Sequence, residues 1–371
     1  MRDYQHSFAR VKWAALVLDE AQRVKNPAAG VTNAVKTLQA DFVLALTGTP
    51  VENRLADLWS IMDRVSPGAL GALIPFQAAY ERPLAETPGE ELERLGRELR
   101  AKLTAEPSPL MKRRMKSDHL PGLPDKTHHA LREPMCLAQA RAYDEILAEA
   151  RRARSRSQRL GFVQRLRHVS LHAALGLDVT ARIDPDELVK RSARLRPTLA
   201  ALDAIAQRKE KALVFVDLLD FQGHLQQLLQ RRYDLAAPPM LISGDVSSAE
   251  RKARVDRFQR VRGHFDVMIL SPKAGGVGLT LTAANHVIHL TRWWNPAVED
   301  QATDRVHRLG QDRPVSVYVS LAIHPRISER SFDVLLDRLM TNKRALSGAV
   351  LTPVAPSDDE LDHVLDAALS G

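Results

Sequence analysis

The stretch LVLDEAQRVKNP, residues 16–27, places two adjacent carboxylates, Asp19 and Glu20, directly after an apolar run. That run, residues 13–18, is short and continuously apolar, which is typical of a strand buried on both faces of a parallel sheet. Functional loops of such sheets lie at the carboxyl ends of their strands. The stretch therefore predicts an α/β fold with two acids at a functional edge.

Paired carboxylates suit nucleotide hydrolysis, in which one acid holds a magnesium-bound water and the other positions or deprotonates the attacking water. A second apolar strand, within FVLALTGTP at residues 42–50, leads into Thr47, Gly48 and Thr49. Hydroxyls and a glycine turn beside the acids could respond to a bound nucleotide. The alternative for these residues is an ordinary turn before a helix start.

Composition limits the class of protein. A chain of 371 residues, 44% hydrophobic and 26% charged, is typical of a globular protein with two or three domains. Lys and Arg exceed Asp and Glu by 53 − 45 = 8, which favours an anionic partner, nucleic acid first, although an Arg-rich genome gives the same balance.

The cysteine count and the hydropathy pattern limit the kinds of metal site and the cellular compartment that we expect. The single cysteine, Cys136, excludes an internal disulfide and a multi-thiolate metal site. The adjacent pair His128–His129 lacks the i, i+4 partner or the nearby acids that a zinc site needs. No apolar run is long enough for a signal peptide or a membrane span. We expect a cytoplasmic protein, nucleoid-associated in a bacterium, without zinc and without a membrane partner.

The chain divides into four segments by pattern. Strands and helices alternate over residues 1–65. Residues 66–190 are Leu-, Ala-, Arg- and Glu-rich helical material around a short extended connector, LPDKTHHALREPM. Alternation returns over residues 191–340 with at least five strands, and residues 341–371 form a tail with a short terminal helix.

An arginine run lies in the helical segment. Residues 151–167, RRARSRSQRLGFVQRLR, hold seven arginines and no acid. Such a run is either a solvated face or a surface that contacts phosphates, and the pattern alone leaves both interpretations open.

A glycine cluster follows one strand of the second layer. SPKAGGVGLTLTAAN, residues 271–285, contains Gly275, Gly276 and Gly278. Glycines at a strand end allow the backbone to approach a phosphate closely, although many such turns are purely structural.

A long polar stretch comes next, RWWNPAVEDQATDRVHRLGQDRP, residues 292–314. Its Arg305 and Arg308 are three residues apart on one predicted helix that also carries Gln301. They would share a face and could both reach a single phosphate group. Two solvated arginines are the alternative.

Together these stretches carry a resemblance to a known family. LVLDEAQRVKN, LALTGTPVENRLADLWSIMD, PLMKRRMKSDHLPGLPDKT, LSPKAGGVGLTLTAANHVIHL and RWWNPAVEDQATDRVHRLGQDRPVSVY resemble the SWI/SNF-type DNA-translocating ATPases of helicase superfamily two. They stand in that family's order and cover the chain from about Trp13 to about Met340.

The resemblance implies a fold, ligands and residue roles. It implies an α/β protein with two RecA-like parallel-sheet lobes, the first incomplete, and helical insertions between them. Implied ligands are ATP with Mg²⁺, and the implied partner is duplex DNA or nucleoprotein. The implied site residues are Asp19 and Glu20 for magnesium and water activation, Thr47, Gly48 and Thr49 for coupling to lobe movement, Gly276 and Gly278 near nucleotide and DNA, and Gln301, Arg305 and Arg308 at the γ-phosphate.

Further residues are expected to contribute to DNA binding: Lys112, Arg113, Arg114, Lys273 and Trp294. For Trp294 the alternative is packing under a turn, because an aromatic side chain before Asn-Pro commonly does so. No recognition helix or zinc module indicates a DNA sequence preference.

One departure from the family pattern matters most. The family carries a Gly-Lys-Thr phosphate loop before its Asp-Glu pair, whereas none of the 18 glycines here is followed by lysine. The eighteen residues before Asp19 are also too few for a βαβ unit, which needs about thirty. We therefore expect these residues alone to lack ATPase activity and to leave an open strand edge.

Three hypotheses account for the missing loop. The sequence is an amino-terminally truncated product or a wrongly started gene model of an ATP-driven DNA translocase, or one half of a split enzyme completed by a separate amino-terminal chain, or a non-enzymatic DNA-binding remnant. The remnant would bind duplex DNA with a steep salt dependence and turn over no nucleotide.

Overall fold

A computed structural model describes residues 5–26, 28–49, 51, 54–81, 90–114, 116, 120, 122–176, 187–260, 263–272, 278–349 and 356–370. The chain forms two compact units. The first comprises Met1–Arg114 with Met340–Pro356, and the second comprises Met115–Leu339 with Ser357–Gly371.

The first unit begins with a parallel pair of strands and continues as helices. Its elements in order are α1 (Gln5–Ala9), β1 (Lys12–Leu18), a 3₁₀ turn (Ala21–Val24), α2 (Gly30–Lys36), β2 (Gln39–Ala45), α3 (Leu55–Val65), α4 (Leu73–Phe76), a π-helical turn (Gln77–Glu81) and α5 (Glu90–Thr104). The strands pair in parallel, with Leu18 opposite Ala45. Two apolar runs joined by a helix thus form the parallel arrangement that the sequence predicts.

Helix α3 is the centre of the core of this unit. Its Leu55, Leu58 and Met62 are almost fully buried and pack with Leu99 and Leu103 of α5. Side-chain bonds then tie α3 to the segment between the strands. Arg64 donates to the carbonyl oxygens of Val35 and Leu38, at 3.2 and 2.8 Å.

One face of the two-stranded sheet is exposed and apolar. Ala15 lies opposite Phe42 and Val17 opposite Leu44, so these side chains share a face. Val17 is 56% and Phe42 59% exposed, and Leu46 continues the face. Parallel sheets are normally covered on both faces, and two strands alone are marginally stable.

The second unit contains a six-stranded, all-parallel sheet. Its strands are β3 (Lys126–Pro134), β4 (Lys211–Phe215), β5 (Met240–Ile242), β6 (Asp266–Leu270), β7 (His286–His289) and β8 (Val315–Ile323). Their spatial order is β3-β8-β7-β4-β6-β5. The five strands expected over residues 191–340 are present, and the extended connector contributes the sixth, β3, which pairs with β8 along its whole length.

Helices pack around this sheet. They are α6 (Leu137–Ala150), α7 (Arg156–Leu171), α8 (Leu195–Gln207), α9 (Leu219–Arg232), α10 (Ser248–Arg260), α11 (Pro296–Thr303), α12 (Phe332–Ala349) and α13 (Asp358–Leu369). Helix α12 belongs to this unit as far as Leu339 and to the first unit from Met340. Alternate residues of β4 enter two different cores: Val214 packs with α8 and α9, and Leu213 packs with Phe258 of α10. This period-two division is why the strand reads as a continuous apolar run. Among the described residues no helix has both the length and the apolar character needed to cross a membrane.

Candidate functional site

The acid pair lies at the carboxyl end of β1, as the sequence predicts. The backbone of Glu20 has φ 52° and ψ 50°, in the left-handed region that residues other than glycine rarely adopt. Its N–H donates to Oδ1 of Asp19 at 2.9 Å. A conformation of this kind costs about 1–2 kcal/mol, and such strain concentrates at functional sites.

A side-chain relay connects Glu20 to the Thr-Gly-Thr segment. Gln22 donates from Nε2 to Oε2 of Glu20 at 2.6 Å, and its Oε1 accepts from the Thr47 hydroxyl at 2.7 Å. Thr47 Oγ1 in turn accepts from the backbone N–H of Thr49 at 3.1 Å. Glu20, Thr47 and Thr49 are therefore joined through Gln22 in one hydrogen-bonded chain.

Backbone hydrogen bonds bring the two segments together. Leu46 donates to the carbonyl of Leu18 at 2.8 Å, and Ala21 donates to the carbonyl of Leu46 at 2.9 Å. The parallel ladder thus continues one residue past β2, and Gly48 is exposed beside it. Gln22 is a residue that the sequence reasoning missed. Its only signal was its place two residues after the acid pair, on the turn that begins there.

Asp19 fits a water-mediated magnesium ligand. Its side chain is exposed at the strand end. Mg²⁺ keeps several waters and binds proteins through one or two carboxylates together with substrate phosphates, so a dedicated cage is not required. In the part of the chain that the structure describes, no cluster of three or more His, Cys, Asp or Glu side chains forms such a cage.

In the second unit, Arg308 contacts the segment that follows Gly278. Gly278 has φ 52°, and the carbonyl of the next residue, Leu279, accepts from Nη1 of Arg308 at 3.2 Å. Gly275, Gly276 and Lys273 lie outside the described residues.

The prediction that Gln301, Arg305 and Arg308 lie on one helix is wrong. Helix α11 carries Gln301 but ends at Thr303, and both arginines lie in the turns that follow. The carbonyl of Arg305 accepts from the N–H of Leu281 at 2.9 Å, so the chain at Arg305 lies beside the segment that follows Gly278. Residues after it turn at Gly310, where φ is 94°.

Gln311 holds this turn in place. Its buried amide donates to the carbonyls of Ala284 and Val306, at 2.7 and 3.2 Å, and its Oε1 accepts from the N–H groups of Asp312 and Arg313. A fixed turn, rather than a helix face, positions the arginines. Arg305 is 8% exposed, and Arg308 is half-buried.

A buried ion pair fixes the start of α11. Arg292, 1% exposed, donates from Nε and Nη2 to the two carboxylate oxygens of Glu299, at 2.9 and 3.0 Å. Glu299 also accepts from the N–H of Trp293 at 2.9 Å, and Asp337 of α12 contacts Arg292. Burial lowers the pKa of Arg292, but Glu299 and Asp337 outweigh it and raise the pKa overall.

Trp294 packs inside this unit. The Arg167 guanidinium lies 5.0 Å from its ring centre, and the Phe332 ring meets it edge-on at 6.1 Å. Arg167 is held by Asp217 and donates to the carbonyl of Arg292 at 2.7 Å. These contacts supply the packing role considered for Trp294, and its DNA contact stays a prediction.

Lys112, Arg113 and Arg114 lie in an irregular segment of the first unit and are exposed. This exposure is compatible with phosphate contacts, and their role also stays a prediction.

Parallel α/β sheets, an acid pair at one strand end and an arginine pair fixed by a turn are features of helicase-like ATPase domains. A model of the SNF2-related domain matches residues 1–231, and one of the helicase conserved C-terminal domain matches residues 197–310. The chain belongs to the SNF2-related family.

Named relatives agree with that assignment. The chain is 37% identical over 368 residues, 95% of its length, to the Zorya protein ZorD of Escherichia coli, of which it covers 32%. It is 30% identical over 90% of its length to the DNA excision repair protein CSB of Oryza sativa, of which it covers 28%. The chain thus spans about a third of these relatives.

A solved structure supports the fold. The SWI2/SNF2 ATPase core domain of Sulfolobus solfataricus has a TM-score of 0.52 and 29% identity, over 96% of this chain and 72% of that one. The prediction of a RecA-like architecture is confirmed.

Proposed function

We propose that these residues form the acid-bearing part of the first lobe and the arginine-bearing second lobe of a motor that couples ATP hydrolysis to movement along duplex DNA. The observation that carries the proposal is the chain of hydrogen bonds from Glu20 through Gln22 to Thr47. It joins the acid that acts on the attacking water to the segment expected to respond to nucleotide state.

The residues divide the chemistry between them. Asp19 would hold Mg²⁺, which would supply positive charge to the phosphates. Glu20 orients the attacking water and accepts its proton, and Gln22 fixes the carboxylate for that task. Gln301, Arg305 and Arg308 contribute positive charge and hydrogen bonds at the γ-phosphate, where such groups stabilise the transition state.

The phosphate loop has to come from residues other than 1–371, because no Gly-Lys pair occurs among them. The exposed apolar face of β1 and β2 supports this. Val17 and Phe42 are more than half exposed where a parallel sheet is normally covered. Strands and a helix carrying the loop would cover that face, from the same polypeptide or from a separate amino-terminal chain.

Three observations favour DNA as the track. The net charge is +8, and a relative similar over 90% of the chain is named a DNA excision repair protein. Lys112, Arg113 and Arg114 form a basic, exposed run, and such positive charge favours contact with phosphates.

The test is steady-state ATP hydrolysis with and without duplex DNA. Residues 1–371 alone should show negligible turnover, because positioning the phosphates is most of what the protein contributes to this reaction. The in-frame sequence that precedes codon 1, fused or co-expressed, should restore it if it encodes a Gly-Lys-Thr loop.

Variants then test the roles within the restored protein. Asp19→Asn and Glu20→Gln should each abolish turnover, whereas Asp41→Asn, which removes an exposed acid paired with Lys12, should not. Turnover near one per second by residues 1–371 alone would refute the need for an added loop.

A further inference from the structure

The arginine run that the sequence left open is covered by the carboxyl-terminal helix. Arg156 contacts Asp358 and Asp359 at 4.0 and 2.8 Å. One turn further along α7, Arg159 contacts both Asp362 and Asp366 of α13. Each of these arginines thus meets two carboxylates.

The two segments are complementary in charge. Residues 151–167 carry seven arginines and no acid, and residues 357–370 carry four aspartates and one glutamate and no Lys or Arg. An acidic helix with carboxylates at i, i+3 and i+4 spacing presents a row of anions to the arginines. In charge and spacing, that row resembles a strand of phosphates.

The acidic helix is attached in a way that permits exchange. Its apolar stripe, with Leu361 and Leu365 buried, packs on α7 and α6. The polar half of the contact is exposed around Arg156: the side chains of Asp359 and Asp366 are 76% and 57% exposed, and that of Arg156 is 55% exposed. Arg159 and Asp362 are half-buried, at 21% and 29%. Exposed ion pairs contribute little net free energy, so a polyanion can replace those of Arg156 at small cost and exchange for those of Arg159 as another partner of the same charge.

More arginines surround the covered pair. Arg151, Arg152 and Arg154 are exposed just before α7. Nη2 of Arg151 lies 3.4 Å from the carbonyl of Leu369, at the end of α13. The basic surface is therefore larger than the part that the acidic helix covers.

We propose that the arginine face, defined as Arg151, Arg152, Arg154, Arg156 and Arg159, binds the sugar-phosphate backbone of DNA, and that helix α13 occupies it as an internal competitor. This proposal rests on the proposed function in taking DNA as the partner. It adds a binding surface in the second unit and a segment that regulates access to it.

The experiment is a salt titration of duplex binding. The unsubstituted chain, residues 1–371, and a D358N/D359N/D362N/D366N variant are titrated into a fluorescein-labelled 30-base-pair duplex, and binding is measured by anisotropy between about 50 and 200 mM salt. Uncovering two arginines should tighten binding about tenfold at 0.1 M salt and steepen the slope of log K against log salt by about 1.8.

A matched variant controls for net charge. D220N/D234N/D245N/E145Q removes four exposed acids of the same unit that lie outside the contact between α7 and α13. It should tighten binding less than about threefold, because general electrostatics acts without new phosphate contacts. Adding R156Q/R159Q to the four-Asn variant should remove the gain, and adding R141Q/R231Q should not.

The outcomes separate the two proposals. Equal tightening by both four-acid variants, or a gain that survives R156Q/R159Q, overturns the competitor role and leaves the acidic helix as a structural brace. Absence of duplex binding by every protein overturns the DNA proposal as well. Circular dichroism melting of each variant shows whether the second unit remains folded.

Discussion

The buried pair Arg194–Asp333 gives the sharpest stability prediction. Both side chains are fully buried. Arg194 donates from Nε to Oδ2 of Asp333 at 2.8 Å and contacts Oδ1 through Nη2, and its Nη1 reaches the carbonyl of Leu290 at 3.3 Å. Oδ2 also accepts from the N–H of Ala322 at 2.7 Å. The pair therefore joins β8 and α12, through the carboxylate, to the start of α8 and the end of β7, through the guanidinium.

Asp333→Ala should destabilise the second unit by about 4 kcal/mol. Removing one partner of a buried pair costs about 3–5 kcal/mol. Among the described residues, the guanidinium would keep the Leu290 carbonyl as its one remaining acceptor. The unpaired Ala322 N–H falls within the same loss. The control is Asp203→Ala, whose carboxylate pairs with Arg232 at 2.6 Å on the surface and should cost about 1 kcal/mol or less.

Urea unfolding followed by tryptophan fluorescence measures the effect. A Trp13→Phe/Trp59→Phe background leaves Trp293 and Trp294, both in the second unit, as the reporters. A loss no larger than that of the control would refute the reasoning. An apolar pair, R194M/D333L, should recover much of the stability, because replacing both buried charges removes the desolvation penalty.

Two further predictions concern the hydrogen-bond relay through Gln22 and the buried histidine His172. In the protein completed by a Gly-Lys-Thr segment, Gln22→Ala should lower kcat about a hundredfold with little change in the KM for ATP, because a displaced Glu20 misplaces the attacking water. Steady-state kinetics checks this, with Gln39→Ala, at an exposed residue, as the control. An unchanged kcat in Gln22→Ala would show that the relay is dispensable. Burial lowers the pKa of His172 to about 4 from 6.5. The unfolded chain therefore binds the proton more readily than the folded chain. The contribution of His172 to the free energy of unfolding should be complete above pH 6.5, and this free energy should fall by at most about 3 kcal/mol as the pH is lowered toward 4. Urea unfolding measured at several pH values in that range should show a smaller loss of unfolding free energy per pH unit for His172→Asn than for the unsubstituted chain. An equal loss in both proteins would contradict the lowered pKa of His172.

The fold could be predicted largely from local pattern. The central strand β4, KALVF, is apolar after its first residue and buried throughout, because both faces of a parallel sheet are covered. The edge strand β3, KTHHALREP, is mostly polar and exposed, so its sequence indicated only an extended connector. The acid pair and the Thr-Gly-Thr segment could be placed side by side, since parallel neighbours end at one edge. What joins them, the Gln22 amide, depends on a left-handed residue at Glu20 that no local pattern indicates.

Long-range contacts explain the remaining misses. The helix predicted through Arg308 ends at Thr303, because Leu281, more than twenty residues earlier, takes the carbonyl of Arg305. The pairing of Arg194 with Asp333 and the cover of Arg159 by α13 join positions far apart in the chain. Propensity and spacing report on neighbours, so such partners emerge only once the chain is folded.

The most direct test of the central claim is the rate of ATP hydrolysis when the arginines are removed. It uses the protein completed by a Gly-Lys-Thr segment and saturated with duplex DNA. Arg305→Ala and Arg308→Ala should each lower kcat about a thousandfold or more, as loss of an arginine finger does, whereas Arg260→Ala on the exposed surface of α10 should leave it unchanged. Full turnover in both variants, with the fold intact by thermal melting, would contradict the claim that these arginines and the Asp19–Glu20 pair act on the same triphosphate.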